Sequence, residues 1–455
     1  MSLVLILVGL IVFIVLATTW LKLHPFLALL LAALVGGLAY GLPVADLPKT
    51  IGTGFGNTLG GIGIVIALGT IIGVILEKSG GAIAMAEGVI KMIGERFPTL
   101  TISIIGYLVS IPVFCDSGFV ILNSLKNALA KRMNVSVVAM SVALSTGLYA
   151  THTFVPPTPG PIAAAGNLGL SDNLGLVIGV GLFVAAISAL GGLLWANMFA
   201  RKDDHLLLKA GEGSELTDPD VDYTALRARY GDIPSARAAF APIIVPILLI
   251  CLGSIAAFPA NIFGGGGLKT ALVFLGHPII ALAIGLIVAL PLIKGEKLKG
   301  FAAQAEEGIV AAAPILLITG AGGAFGAVLA ASGIGTYLGQ TLSALGVGIF
   351  MPYIVAAAIK TAQGSTTVSL VTTSALVAPL LGDLGLDSEM GRVLTVMAVG
   401  AGGMTVSHVN DSFFWVVSQF SRFTLSTAFK GQTAGTFVQG AFAMATIYVL
   451  SLFLI

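Results

Sequence analysis

The sequence predicts an all-α polytopic membrane protein made of two inverted-topology repeats. Each repeat holds about five transmembrane helices plus a re-entrant hairpin, with discontinuous helices at the membrane midplane. Three observations predict this. Apolar residues fall in long blocks almost free of charge, a pattern of matches recurs 253 positions later (His24 to His277), and four short polar runs interrupt apolar stretches.

Hydrophobic residues make up 57% of the 455 positions and charged residues 9%, where a soluble domain carries about a quarter charged. Residues 3–20, 25–42, 59–76, 174–198, 239–258 and 435–455 are uncharged runs, each about the length a helix needs to cross the hydrocarbon core. The short alternating segments of a membrane β-barrel are not visible. The 59 glycines suit helices packed closely in lipid and helices broken around a cavity. A net charge of +1 gives no reason to expect a nucleic-acid partner. Cys115 and Cys251 both lie in apolar stretches and read as buried free thiols, not as a disulfide or metal pair. The first apolar run has no preceding Lys or Arg and reads as a first span.

The long polar stretch 201–237 divides the chain into a first repeat, 1–200, a cytoplasmic linker and a second repeat, 238–455. His24-Pro25 opens an apolar run as His277-Pro278 does. At the same offset Gly69, Gly73, Leu76, Ser79 and Gly80 meet Gly322, Gly326, Leu329, Ser332 and Gly333. One register held over so many positions indicates a duplication. Thr151-His152 further resembles Ser407-His408. Lys78, Lys91, Arg96, Lys131, Arg132, Arg201, Lys202, Arg237, Lys294, Lys297 and Lys299 are placed inside by the positive-inside rule. The segment between Arg96 and Arg132 is then basic at both ends, and reads either as a re-entrant hairpin with its tip at Cys115–Gly118 or as two full spans. Its counterpart, 347–381, bends around Thr361–Thr366 and is followed by Asp383, Asp387 and Glu389. An odd number of spans in the first half inverts the second, an arrangement found in many secondary transporters.

Irregular backbone at membrane depth is tolerated only where protein or a watery cavity satisfies it. The first such break is Asp116-Ser117-Gly118; Asp116 is either a functional carboxylate or a helix cap. The second runs from Thr151 to Pro161, with four prolines between Pro156 and Pro161 that no helix can carry through. A helix restarting near Pro161 would offer an anion its N-terminus. His152 there is either a proton relay or a partner for freed carbonyls. The third break is Gln363-Gly364-Ser365-Thr366, preceded by Lys360, which either serves an anion or a nearby acid or snorkels to an interface. The fourth runs from Ser407 to Trp415 and contains His408, Asn410, Asp411 and Ser412. Asp411 can be a cation or proton site and an N-cap at once. His24, His277, Glu77-Lys78 and Glu306-Glu307 fall at span ends and read as interfacial. With no Gly-x-x-x-x-Gly-Lys-Ser/Thr motif, the chain has no means of hydrolysing ATP. Gly-x-Ser-x-Gly and His-Glu-x-x-His are also missing, which removes the main enzymatic alternatives.

Several blocks together resemble the gluconate permease (GntP) family within the ion transporter superfamily. They are Lys22 to Ala32, Gly118 to Val120, Thr151 to Pro161 and His408 to Trp415, and the likeness runs nearly the whole length. The resemblance implies a bacterial cytoplasmic-membrane symporter importing gluconate or a related hydroxylated or amino carboxylate with protons. D-serine and glycerate-type substrates, sodium coupling and a passive carboxylate channel are the alternatives. It implies no cofactor beyond the ion gradient and no metal, and it leaves a homo-oligomer open. Family members commonly carry Glu where this chain has Asp116 and His where it has Thr158, which puts gluconate itself in question more than a small hydroxy-carboxylate. On this reading Ser117, Gly118, Thr158, Pro161, Gly364, Ser365, Thr366, Asn410 and Ser412 bind substrate. Asp116, His152, His408 and Asp411 handle the coupling proton, and Lys360 is an accessory charge.

Overall fold

A computed structural model describes residues 2–94, 96–200, 228, 230–257, 266–293, 297–333, 348–409 and 411–455. Most of the predicted linker, 201–227, lies outside the described residues, as do Lys294 and Asn410. Every extended regular element among the described residues is helical.

The first half runs α1 (Ser2–Thr19), α2 (Pro25–Ala39), α3 (Leu47–Lys78), α4 (Gly81–Ile93), α5 (Pro98–Val109), α6 (Cys115–Arg132), α7 (Val137–Phe154), α8 (Pro159–Asn167) and α9 (Leu174–Asn197). The second runs α10 (Ala236–Ala257), α11 (Gly267–Gly276), α12 (Pro278–Ala289), α13 (Lys297–Ala331), α14 (Phe350–Gln363), α15 (Thr366–Val377), α16 (Glu389–Met404) and α17 (Ser412–Phe420). It closes with a short turn, Leu425–Ala428, which passes through a π-helical turn into α18 (Ala434–Leu454). His24 caps α2 by accepting from the Phe26 amide at 3.3 Å. Its counterpart His277 sits at a 69° bend between α11 and α12.

Helix starts recur at a nearly constant offset between the two halves. Starts at Pro98, Cys115, Val137 and Pro159 recur at Phe350, Thr366, Glu389 and Ser412, between 251 and 253 positions later. Packing partners recur as well: α5 lies on α7 as α14 lies on α16, and α7 lies on α9 as α16 lies on α18. Between the halves α3 packs along α13, while α6 meets α17 and α8 meets α15. Such crossed reciprocity is the contact pattern of a two-fold arrangement.

Helix length positions the site. Five helical segments among the described residues, one of them α7 and α8 taken together across their break, are long and apolar enough to cross a membrane, and two bent pairs bring the number to seven. In contrast, α5 has 12 residues, α15 has 12, and α8 and α17 have 9 each. At about 1.5 Å per residue these reach roughly 14–18 Å, well short of a hydrocarbon core of about 30 Å. Their ends therefore stop inside the protein, at the depth where polar residues interrupt the sequence.

The interruptions are narrower than the polar runs suggest. The first tip turn is Ser110–Phe114, and Cys115–Gly118 already forms the opening turn of α6. The second tip is Gly364-Ser365, where Gly364 takes φ +89° to reverse the chain, a conformation only glycine adopts without strain. The broken helices open at Val155–Thr158 and Thr405–Asp411. His152 thus belongs to the last turn of α7.

Glycines set how closely the tip arms approach. A Cβ at Gly147 of α7 would stand 2.2 Å from the Ser103 carbonyl of α5, and one at Gly402 of α16 would stand 2.2 Å from the Tyr353 carbonyl of α14. The same device therefore joins hairpin arm to broken helix in both halves.

Candidate functional site

Three helix N-termini converge on one polar cavity. It has a volume of about 320 Å³ and is lined by residues from the starts of α6, α15 and α17 together with Tyr149 and His152 of α7. Its polar groups include Asp116, Ser365, Thr366, Thr367, Asp411 and Ser412, and Phe114 and Phe413 supply apolar wall. Helix N-termini carry partial positive charge, so a cavity ringed by three favours an anion. The volume falls at the lower end of the range for small-molecule sites.

Asp411 is the N-cap of α17 and accepts from the Phe413 amide at 3.1 Å. Its other oxygen receives the Lys360 ammonium at 2.7 Å and the Ser407 hydroxyl. Lys360 is fully buried, donates also to the Gly364 carbonyl, and lies 5.8 Å over the Tyr149 ring. One ion pair thus ties the second tip to the second broken helix. A buried ammonium needs this kind of paired and hydrogen-bonded setting. Lys360 therefore neutralises the nearby acid and does not snorkel to an interface.

Asp116 is placed differently. Its contacts are the Cys115 thiol, donating at 3.6 Å, and the Ser412 hydroxyl, donating at 3.4 Å from the opposite half of the molecule. No cation within salt-bridge distance accompanies it among the described residues. Across the cavity the Tyr149 hydroxyl shares a hydrogen bond with Thr366, joining α7 to α15. His152 stacks on Tyr149 at 6.5 Å and approaches Phe114 at 6.0 Å, and its Nδ1 is buried with no protein partner. An unsatisfied buried polar atom on a cavity wall is a candidate ligand contact.

Of the residues singled out in the sequence, Asp116, His152, Gly364, Ser365, Thr366, Asp411 and Ser412 line this cavity, and Lys360 lies directly behind it. The others lie elsewhere. Thr158 is buried and donates to the Val155 carbonyl at 2.6 Å, so its hydroxyl is spent inside its own turn. The prolines Pro156 and Pro157 face an apolar crevice with Val65, Ile72 and Pro246, and Pro161 is buried in α8 without reaching the cavity. Gly118 packs on Leu148, and Ser117 hydrogen-bonds Glu77 at the end of α3. His408 is half-buried and bonds the Thr361 carbonyl at 2.8 Å.

Tyr149, Phe114, Cys115, Thr367 and Phe413 also line the cavity and were not given a site role from the sequence. Tyr149 had a readable signal, because it lies three residues before His152 on the same helical face. Phe114 and Phe413 had none, being aromatic residues in a chain with 24 phenylalanines. Among the described residues no group of His, Cys, Asp and Glu is arranged to hold a metal ion, and both cysteines are free.

Helices that stop at membrane depth around a hydroxyl-lined cavity define the class: an integral membrane protein with a site sized for a small solute. The chain belongs to the GntP family permeases, whose family model matches residues 1–453. It is 34% identical to a gluconate permease of Pseudomonas aeruginosa over 454 residues, covering 98% of this chain and 96% of that protein. It is 33% identical to the D-serine transporter DsdX of Escherichia coli K12, covering 97% and 96%. An uncharacterized permease of Haemophilus influenzae is 36% identical over 91% of this chain and 84% of its own length. The fold matches the crystal structure of the Alcanivorax borkumensis YdaH transporter, described as having an unusual topology, with a TM-score of 0.66 at 16% identity. That match covers 94% of this chain and 98% of the other. The protein is thus a multi-pass permease of the bacterial cell membrane.

Proposed function

We propose that this permease imports a small hydroxylated or amino carboxylate together with a proton, by alternating access between two inverted halves. One observation carries the reading: a single cavity holds three helix N-termini, five side-chain hydroxyls and one acid, Asp116, that lacks a cationic partner. The helix termini favour the substrate carboxylate. The hydroxyls of Tyr149, Ser365, Thr366, Thr367 and Ser412 suit a partner rich in hydroxyl or amino groups. Gluconate and D-serine, named for two relatives, both have that chemistry, and a sugar acid is the preferred class.

The charges supply the coupling argument. Asp116, Asp411 and Lys360 sum to −1 when ionised, and a substrate carboxylate would bring the site to −2. Like charge disfavours ionisation of a neighbouring acid, so substrate entry favours a proton on the site. Asp411 is committed to Lys360 and to its cap, which leaves Asp116 as the proton carrier. His152, facing the same cavity with a free Nδ1, is the group through which that proton arrives.

The test is uptake by purified protein in liposomes of labelled gluconate, glycerate and D-serine, with an imposed pH gradient, a sodium gradient or neither. Stimulation and accumulation only with the inside-alkaline gradient are expected. Equal uptake without a gradient, or a requirement for sodium, would overturn proton coupling. Asp116→Asn should lose accumulation against a gradient while retaining substrate exchange.

A further inference from the structure

Lys126 is a buried charge that the cavity does not use. It lies on α6, ten residues beyond Asp116, about 15 Å further along the helix, and none of its side chain is exposed. Its ammonium donates to Asn123 Oδ1 at 2.8 Å, to Ser141 Oγ at 2.8 Å and to Ser421 Oγ at 3.3 Å, and it lies 5.3 Å over the Phe119 ring. The Ser141 hydroxyl gives its own proton to the Val137 carbonyl at 2.8 Å, so toward Lys126 it can only accept. Three acceptors and a ring face for three N–H groups make a socket for the charged form. The partners come from α6, from α7 and from the turn after α17. No carboxylate lies within salt-bridge distance among the described residues.

A charge held deep in a membrane protein without a counter-ion is costly, and here its sign completes a sum. Among the described residues, the buried side chains of fixed formal charge are Lys126, Lys360 and Asp411. With Asp116, which lines the cavity, two positive and two negative charges sum to zero. We propose that Lys126 is the countercharge that keeps the membrane-embedded core neutral both empty and when loaded with one anion and one proton. The inference rests on the proton-symport reading above. Its consequence is that neither the loading step nor the return of the empty carrier works against the membrane potential. Without Lys126 both forms would carry −1. An inside-negative potential would then oppose inward movement of the loaded form and favour return of the empty one.

The experiment is substrate exchange in proteoliposomes with the potential clamped at 0 and at about −100 mV, inside negative. Wild type, Lys126→Gln, which keeps a donor, and Lys126→Arg, which keeps the charge, are compared. Exchange at zero potential certifies that each variant is folded. Wild type and Lys126→Arg should exchange at the same rate at both potentials, and Lys126→Gln should slow severalfold at the negative potential. Equal insensitivity of Lys126→Gln, in a wild type that is proton-coupled and electroneutral, would overturn the countercharge role alone. A wild type that needs sodium would overturn the symport reading instead, and one that is proton-coupled yet carries net current would overturn the neutral-core proposal itself. If Lys126→Gln proves inactive at both potentials, the Arg variant decides: potential-dependent exchange by Lys126→Arg would defeat the proposal.

Discussion

Two buried lysines with different neighbours illustrate how far side-chain chemistry governs this protein. Lys360 has a carboxylate at 2.7 Å, whereas Lys126 has only neutral acceptors. Removing one member of a buried ion pair strands the other, at a cost of about 3–5 kcal/mol. Lys360→Met and Asp411→Asn should therefore each lower the thermal midpoint in detergent markedly. The double variant should be less destabilised than the sum of the two, since the pair couples. Thr158 makes the opposite case. Its hydroxyl serves the Val155 carbonyl and does not reach the cavity. Thr158→Val should cost about 1 kcal/mol of stability and leave the substrate KM within about twofold. A large shift in KM would return Thr158 to the substrate site, where the sequence put it.

At the scale of the element, the broken helices depend on close contact with their hairpin arms. Gly147 and Gly402 face backbone carbonyls at distances no Cβ can occupy, and neither neighbour is a flexible side-chain end. Gly147→Val and Gly402→Val should each push an arm off its helix and abolish recovery of monodisperse protein in detergent. Gly56, whose added Cβ would meet nothing within 4 Å, should accept Ala without loss. The proline run Pro156–Pro161 was the most specific local signal in the sequence, and it does break the chain between α7 and α8. Pro156 and Pro157 of this run line an apolar crevice. What the first broken helix gives the cavity comes from the turn before, through Tyr149 and His152. Proline chemistry predicts that a helix stops; which flank turns toward the partner half depends on the packing of α8 against α15.

For the whole molecule, the two halves share helix order and packing partners, and the basic residues of the sequence assign them opposite directions. Single cysteines at exposed positions, in a chain with Cys115 and Cys251 replaced by Ser, test that assignment. Lys131→Cys should react with a membrane-impermeant thiol reagent only after cells are opened, and Asp387→Cys should react in intact cells. Labelling of both from the same face would defeat the inversion. Both positions are exposed, so failure to label would reflect sidedness and not burial.

Much of the architecture was legible in the sequence because it follows from local rules. Apolar length gives spans, since the bilayer fixes how many residues a helix needs. Proline and glycine mark breaks, because each acts on its own backbone. A recurring register, such as His24-Pro25 and His277-Pro278, can be displayed within one chain. Asp116, Ser365, Thr366, Asp411 and Ser412, which line the cavity, were readable as candidates on these grounds, being polar groups at breaks in apolar helices. Only the tertiary structure decided how those groups divide the work. It paired Lys360 with Asp411, left Asp116 without a cation, turned Thr158 and His408 away, and set Lys126 in a socket built from α6, α7 and the turn after α17. These outcomes join residues up to 296 positions apart. Whether two distant side chains meet depends on how helices cross, and no local pattern in one sequence encodes that crossing.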